Sequence, residues 1–366
     1  MTMASAPTIA IAANNGDIGG GEVMLLAIAE ALREIGHRPL VLGPTEPSEI
    51  IDAAADRGFA THAIPASSRP AYMVGLALWR LRNRRSGGRA LPLWCNGLVP
   101  SLATVGQGPR LLELHALPAG VNRFAAAVAL ADSAPLVVPS RFMKTRFPRA
   151  RVLWNWVEDP GFAPARDGGA GEQPNVPDPG APIRIGFLGR LTRDKGVDVL
   201  LHAFRTVQQQ SPRPVELVLG GENRFGTSED DRVIQGLIDH TEDVRVLGWV
   251  PRGELFAQVD LCVFPSRAEE TFGLVVAEAM AAGMPFIISD AGALPEVAGP
   301  EHPFRARNGN DSDLARVILK AIDELGDDHA SLLRRARRRY EEDFSPEAGT
   351  RRLRELLTDL TWARSG

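Results

Sequence analysis

Cysteine is nearly absent from this chain, which has only Cys95 and Cys262. Both lie in apolar stretches, and no Cys or His pair has metal-ligand spacing. A disulfide framework and a structural zinc site are therefore excluded, and two buried, reduced thiols in a reducing compartment are expected. Long apolar runs are missing as well: none approaches the ~20 residues a membrane helix needs. No basic segment leads into an apolar run between Met1 and Pro7, so no signal peptide is expected. These absences point to a cytoplasmic protein. The chain also lacks an excess of positive charge. Its formal net charge is -4, which argues against a nucleic-acid partner. A dinucleotide fingerprint is missing too. Gly19, Gly20 and Gly21 run straight into Glu22, Met24 stands where a further glycine would fall, and no acidic residue closes the second strand at Val41-Leu42, which disfavours a dehydrogenase.

What is present is a regular alternation. The 366 residues are 44% hydrophobic and 23% charged, enough for two domains of ordinary size. Thr8–Ala13 reads as a buried strand, Gly16–Gly21 as a turn, Glu22–Ile35 as a helix with Val23, Leu26, Ala27 and Ala31 at helical spacing, and Pro39–Leu42 as a strand. This order defines a βαβ unit with a parallel sheet. Further strands follow at Leu91–Cys95, Arg110–Leu114 and Leu136–Val138. Residues 161–182 then break the pattern with Gly, Pro, Ala, Asp and Gln, which predicts an interdomain linker. Alternation resumes with strand Ile183–Leu188, helix Val197–Gln209, strand Val215–Leu219, helix Asp231–His240, strand Val244–Leu247, helix Glu254–Ala257, strand Leu261–Phe264, helix Phe272–Ala282 and strand Pro285–Ser289. Helical stretches Asp311–Leu325 and Ala330–Trp362 close the chain, the latter interrupted at Phe344–Pro346. Two doubly wound α/β domains are expected, facing across a cleft, with ligands at the carboxyl ends of their strands.

The densest chemistry runs from Phe264 to Gly283. A buried strand ends in a polar loop carrying Glu269 and Glu270, and a helix follows whose first amides, at Phe272, Gly273 and Leu274, offer an anion site. Glu278 lies further along that helix. A second segment, Gly189-Arg-Leu-Thr-Arg-Asp-Lys-Gly196, joins a strand to a helix and carries Arg190 and Lys195. Cations fixed there stabilise negative charge that develops on departing phosphates, and an arginine offers forked donors to them. Asp311-Ser-Asp313 has the look of a metal-binding Asp-x-Asp, but it opens a helix after a Gly-Asn turn and reads as capping. Glu229-Asp230-Asp231 likewise reads as a helix start. No metal or other cofactor is expected where arginine and lysine neutralise phosphate.

The Glu270/Glu278 pair, the intervening Phe272-Gly273-Leu274, the following Glu278-Ala-Met-Ala-Ala-Gly-Met-Pro285 and the loop Ser289-Asp-Ala-Gly-Ala-Leu-Pro-Glu296 resemble the donor-site signature of glycosyltransferase family 4. The resemblance implies a GT-B fold: an acceptor-side domain over residues 1–160, joined by a last helix of about 346–366 that crosses back, and a donor domain over 183–345. It implies transfer of a sugar from a nucleoside-diphosphate sugar, with retention of configuration, to an acceptor that is a glycan, a lipid or a small molecule. Under it Glu270 orients the sugar, Glu278 binds the nucleotide ribose, and Arg190 and Lys195 grip the diphosphate. Val250, after the strand Val244-Arg-Val-Leu-Gly, lays its backbone against the nucleobase. Gly19 and Gly20 face the donor phosphate from the first domain, and His115 reaches the transferred sugar. An epimerase or hydrolase of nucleotide sugars on the same fold, or a non-catalytic binding subunit, are the rival readings. Asn155-Trp156-Val157-Glu158 departs from the family's Asn-Gly-Val-Asp, because tryptophan replaces glycine poorly in a left-handed turn. Arg80–Arg89, beside Leu76, Leu78, Trp79 and Leu81, reads as a solvated basic face, with peripheral contact on the inner face of an anionic membrane as the alternative.

Overall fold

The computed structural model describes residues 6–86, 89–160, 180–223, 227–324 and 327–360. Most of the expected linker, 161–179, lies outside the described residues. The chain divides into two compact units, residues 1–156 with 346–366, and residues 157–345. The first unit thus ends four residues before position 160, since Val157 N–H already bonds Phe344 O and Asp159 pairs with Arg337, both within the second unit.

In the first unit the elements run β1 (Thr8–Ala12), α1 (Gly20–Glu34), β2 (Arg38–Pro44), α2 (Glu49–Asp56), β3 (Ala60–Ile64), α3 (Arg69–Arg82), a short hairpin of β4 (Arg85–Ser86) and β5 (Arg89–Ala90), then β6 (Leu93–Asn96), α4 (Leu98–Ala103), β7 (Arg110–Glu113), α5 (Asn122–Ala129), β8 (Leu136–Val138), α6 (Arg141–Arg146) and β9 (Arg151–Val152). Seven strands form one parallel sheet in the order β3-β2-β1-β6-β7-β8-β9. Its central strands β1, β6 and β7 are buried along nearly their whole length, as a sheet covered on both faces requires, whereas the edge strand β3 is largely exposed. α1 begins at Gly20, two residues before the expected start. It buries Met24, Leu25, Ile28 and Leu32, whereas Val23 is exposed.

The second unit repeats the plan with β10 (Ile183–Leu188), α7 (Val197–Gln210), β11 (Val215–Gly220), α8 (Ser228–Asp239), β12 (Val244–Gly248), α9 (Arg252–Phe256), β13 (Leu261–Phe264), α10 (Leu274–Ala281), β14 (Phe286–Ser289), α11 (Leu294–Ala298), β15 (Arg305–Ala306), α12 (Asp311–Asp323) and α13 (Asp327–Arg339), which passes into a π-helical turn over Tyr340–Phe344. Its six strands are parallel in the order β12-β11-β10-β13-β14-β15. Ile185, Leu217, Leu261, Val263, Ile287 and Ile318 belong to one buried cluster. In each sheet the strand order reverses once, beside β1 and beside β10, and ligands of such sheets sit outside the carboxyl ends at that point.

α14 (Pro346–Asp359) belongs to the first unit, packing on α1 and donating from the Thr350 hydroxyl to Glu34 at 2.9 Å. There it meets Trp156. Among described non-glycine residues only Asp243 has a positive φ, so Trp156 does not take up the left-handed turn that a glycine would serve. Its indole is buried against α14 instead, at Gly349, where a Cβ would fall 2.1 Å from Trp156 Cδ2. The tryptophan in this motif is thus matched by a glycine nearly two hundred positions on.

The arginine-rich stretch does not form one solvated face. Arg80 is fully buried and donates to the carbonyls of Leu91, Gln107 and Pro109 at 2.6, 3.0 and 2.9 Å. Leu76 and Trp79 pack into the sheet's core cluster, while Leu78 and Leu81 point outward.

Two outcomes follow from these contacts. Gly349→Ala gains up to about 1 kcal/mol in helix propensity, but the overlap with Trp156 outweighs it. A net loss of ~1–3 kcal/mol is expected by urea denaturation. His302 lies stacked on Phe286 at 4.4 Å, and burial lowers its pKa to about 4. Between its ordinary 6.5 and about 4, the unfolded chain binds a proton that the fold refuses. Stability therefore declines as pH falls through that window, by up to about 3 kcal/mol from this group. Unfolding midpoints of His302→Phe, followed across that pH range, should show the slope flattened.

Candidate functional site

The candidate residues divide between the two units, and each group takes shape within its own. In the second unit, the loop after β10 carries Arg190 and Lys195, and it is fixed by its own polar side chains. Arg190 bonds Asp194 at 2.7 Å, and the Thr192 hydroxyl bonds the same carboxylate. Burial works against the charge of Asp194, but the Thr192 hydroxyl and the Arg190 and Lys195 cations outweigh it, so its pKa lies below the ordinary value. The loop closes at Gly196, φ +74°, which precedes α7. A Cβ there would fall 2.0 Å from Pro265 O, so only glycine lets this loop lie against the end of β13.

That approach brings Lys195 to Glu270. Lys195 Nζ lies 2.5 Å from Glu270 Oε1, and the Ser266 hydroxyl donates to the same oxygen at 2.6 Å. Ser266 is itself buried, and its carbonyl accepts the Ser289 hydroxyl at 2.7 Å from the end of β14. The backbone of Glu270 is clasped from the other side: Ala293 N–H donates to its carbonyl at 2.8 Å, and a Cβ on Gly292 would collide with that carbonyl. Glu270 therefore has both its backbone and one carboxylate oxygen fixed.

α10 follows, with Gly273 at its cap in the left-handed region, φ +93°. Among the described residues no protein acceptor takes the amides of Phe272, Gly273 or Leu274. The Phe272 ring turns into the core, edge-on to Phe344 at 5.5 Å. On the buried side of α10 stands Glu278. Burial raises its pKa, and Arg252, whose Nη1 lies 2.5 Å from Oε1, opposes the rise. Val250 lies just before α9, with its side chain close to Gly220 at the end of β11. The Asp-x-Asp is committed to structure: the Asn310 side chain caps α12 through Asp313 N–H, while the Asp313 carboxylate takes Arg307 N–H and Arg316. At Glu229-Asp230-Asp231 the helix start is a Thr227–Asp230 capping box.

In the first unit, the glycine loop after β1 is held by a buried carboxylate. Glu22 accepts the amides of Asn15 at 3.2 Å and Gly19 at 3.3 Å, so the Gly19 N–H is already committed. Burial raises the Glu22 pKa, against these amides and His115. Gly20 begins α1. His115 follows β7 and packs against Gly21; its Nε2 lies 2.7 Å from Asn96 Oδ1 at the end of β6. Asn96 donates from Nδ2 to Gly21 O at 3.0 Å, which fixes the amide orientation and puts the proton of this bond on His115 Nε2. Behind it, buried Glu113 accepts the Trp94 indole N–H at 2.7 Å, and burial raises its pKa. His115 thus meets the glycine loop and Asn96, with Nε2 turned to Asn96.

Residues 182–324, the heart of the second unit, match the family model described as glycosyl transferases group 1. Among curated proteins, the D-inositol 3-phosphate glycosyltransferase of Corynebacterium jeikeium is 32% identical over 193 residues, covering 50% of this chain and 45% of the relative. The phosphatidyl-myo-inositol mannosyltransferase of Propionibacterium freudenreichii is 26% identical over 228 residues, covering 58% and 51%. The chain spans about half the length of these curated relatives. Among solved structures, Anabaena HepE in complex with UDP-glucose superposes with a TM-score of 0.78 at 20% identity, over 96% of this chain and 100% of that one. Sucrose-phosphate synthase from Thermosynechococcus elongatus gives 0.78 at 20%, over 98% and 100%. This chain is a relative of glycosyltransferases, and its fold is GT-B. Its two parallel-sheet α/β domains are those of the expected fold class.

Sequence reasoning missed the groups that hold the site in place. Ser266, four residues before Glu270, carried a weak signal as a hydroxyl in the same loop, and Asp194 lay between the two cations in plain view. Arg252 and Asn96 had none, because their partners Glu278 and His115 are remote in sequence, and Gly292 stood inside the quoted loop motif without any sign of its close approach to Glu270. Arg252→Met should leave Glu278 without its cation. Because Arg252 is about a third exposed, the loss at neutral pH is expected to be ~1–3 kcal/mol rather than the full cost of a buried pair. Arg252→Met/Glu278→Gln should recover most of it in a urea-denaturation double-mutant cycle.

Proposed function

We propose that this protein is a retaining, metal-independent glycosyltransferase using a nucleoside-diphosphate sugar. The observation that carries the reading is the Lys195–Glu270 contact of 2.5 Å at the switch point of the second sheet, with Arg190 on the same short loop. The pairing supports a division of labour. Lys195 and Arg190 meet the diphosphate, and donor binding draws Lys195 toward phosphate while Glu270 turns its freed oxygen to the sugar hydroxyls. The amides of Phe272, Gly273 and Leu274 receive phosphate oxygens, and Glu278 receives the ribose hydroxyls. The backbone at Val250 meets the base. HepE, the similar structure solved with UDP-glucose, favours a donor of this class. For the first unit, the resemblance assigns donor contacts to Gly19, Gly20 and His115.

In the reaction, the bond from the anomeric carbon to the β-phosphate oxygen breaks, and the acceptor hydroxyl oxygen bonds that carbon from the same face. The acceptor's proton passes to the departing phosphate oxygen. Charge grows on the diphosphate in this step, so two fixed cations lower its energy more than that of the bound donor. Front-face attack is the route of this reading, and it needs no carboxylate nucleophile opposite the leaving group, as a double displacement would. The acceptor is a glycan, lipid or small molecule.

A thermal-shift screen against uridine, guanosine and adenosine diphosphate sugars selects the donor, and transfer assays follow with the one that binds. Lys195→Ala and Arg190→Ala should each lower donor turnover by roughly 10²–10³. Unchanged turnover in both variants would remove the assignment. Full-rate nucleotide release without acceptor would indicate a hydrolase or epimerase, and binding without any transfer would indicate a non-catalytic subunit.

A further inference from the structure

A helix on the surface of a soluble domain normally turns charged and polar residues to water. α3 does the reverse. Its inner side is anchored in the first unit by Tyr72, Leu76 and the buried Arg80. Its outer side carries Val74, Leu78 and Leu81, exposed at 62%, 46% and 50%. Spaced four and three residues apart, they form one stripe. Arginine flanks the stripe at both ends. Arg69 is exposed at the start of α3, and Arg82, Arg84 and Arg85 are exposed at its end and just beyond. No aspartate or glutamate occurs anywhere between Asp56 and Glu113, so nothing in this part of the chain neutralises them.

We propose that the outer face of α3 docks on a membrane surface rich in anionic lipid. Val74, Leu78 and Leu81 enter the boundary between headgroups and acyl chains, while the flanking arginines pair with lipid phosphates. The charge decides the occupant. An apolar stripe alone would suit many partners, but arginines at both ends with no acidic neighbour suit a surface of one sign. The helix lies along the surface, since no helix among the described residues is long and apolar enough to cross a membrane. The expectation of a basic face over Arg80–Arg89 is thereby redrawn. Arg80 leaves it for the interior, and the stripe reaches back to Val74.

The test uses the full chain and lipid vesicles, with no donor or acceptor, so its outcome is independent of the transferase reading. Co-sedimentation is measured with phosphatidylcholine vesicles and with vesicles in which about a third of the lipid is phosphatidylglycerol. The protein should bind the anionic vesicles, release from them as salt is raised, and bind the neutral ones weakly. Arg82→Glu/Arg84→Glu/Arg85→Glu should weaken binding by at least roughly fivefold per arginine, and Leu78→Glu/Leu81→Glu should abolish it. All five side chains are exposed, so both variants should unfold at the wild-type temperature. That measurement separates lost docking from lost folding. Equal binding to both vesicle types, no binding to either, or full binding by Leu78→Glu/Leu81→Glu overturns the proposal. A concentration-dependent dimer in sedimentation velocity, lost in Leu78→Glu/Leu81→Glu, also overturns it by assigning the stripe to a second copy.

Discussion

Everything in the second unit's site depends on keeping a carboxylate, Glu270, in place at the end of a hydrophobic sheet. A side chain so sheltered loses much of its hydration, and hydrogen-bond donors must replace the lost water. Lys195 and the Ser266 hydroxyl supply that replacement on one oxygen. The price in backbone geometry is met at two glycines. Gly196 lets the cation's loop touch β13, and Gly292 lets the following loop close over Glu270. Add a Cβ at either position and the lysine or the clasp must move, although neither glycine touches the carboxylate. The electrostatics of the site rest on steric permission given elsewhere.

The same rule recurs at the other buried acids, with different solutions. Glu278 has an arginine, Glu22 has two backbone amides, and Glu113 has an indole N–H with His115 close by. A strong cation suits Glu278, because it is the most deeply enclosed of those in the second unit's site. Backbone amides suit Glu22 because its work is to hold a loop. One carboxylate oxygen of Glu278 is committed to Arg252, and the described residues offer no hydrogen bond to the other. An acceptor that is buried and half-satisfied fits the ribose-binding role proposed for it.

Much of the fold was legible. Strands Ile183–Leu188, Leu261–Phe264 and Leu136–Val138 have the bounds read from the sequence, since short, mainly apolar strands between turns leave little ambiguity. Helix starts were less accurate. α1 and α8 begin before their apolar stripes do, at Gly20 and Ser228, because caps and first turns are written in polar residues. In the site, Arg190, Lys195, Glu270 and Glu278 could be named because each lies in a dense local motif. The contacts they make could not be read locally, because pairing across seventy-five residues, as between Lys195 and Glu270, is a property of the sheet order and of no local pattern. Arg80 shows the limit from the other side. An arginine among arginines reads as surface, and only the carbonyls left over by a short hairpin and two loops explain why it is buried.

Trp156 carries the argument one step further. Judged by its neighbours alone, a tryptophan in a position suited to glycine is a local conflict, and a conflict of that kind signals strain or error. In the fold the conflict disappears, since the backbone stays out of the left-handed region and the indole is accommodated by Gly349 on the last helix. Glycine in that helix would otherwise be a liability of up to about 1 kcal/mol. Each residue is costly by itself, and the two are consistent only as a pair. Because Gly349 and Trp156 both lie in the first unit, the pair also ties the returning C-terminal helix to the segment where the chain leaves that unit. A departure from the family pattern in the middle of the chain is therefore also a statement about how its end is attached.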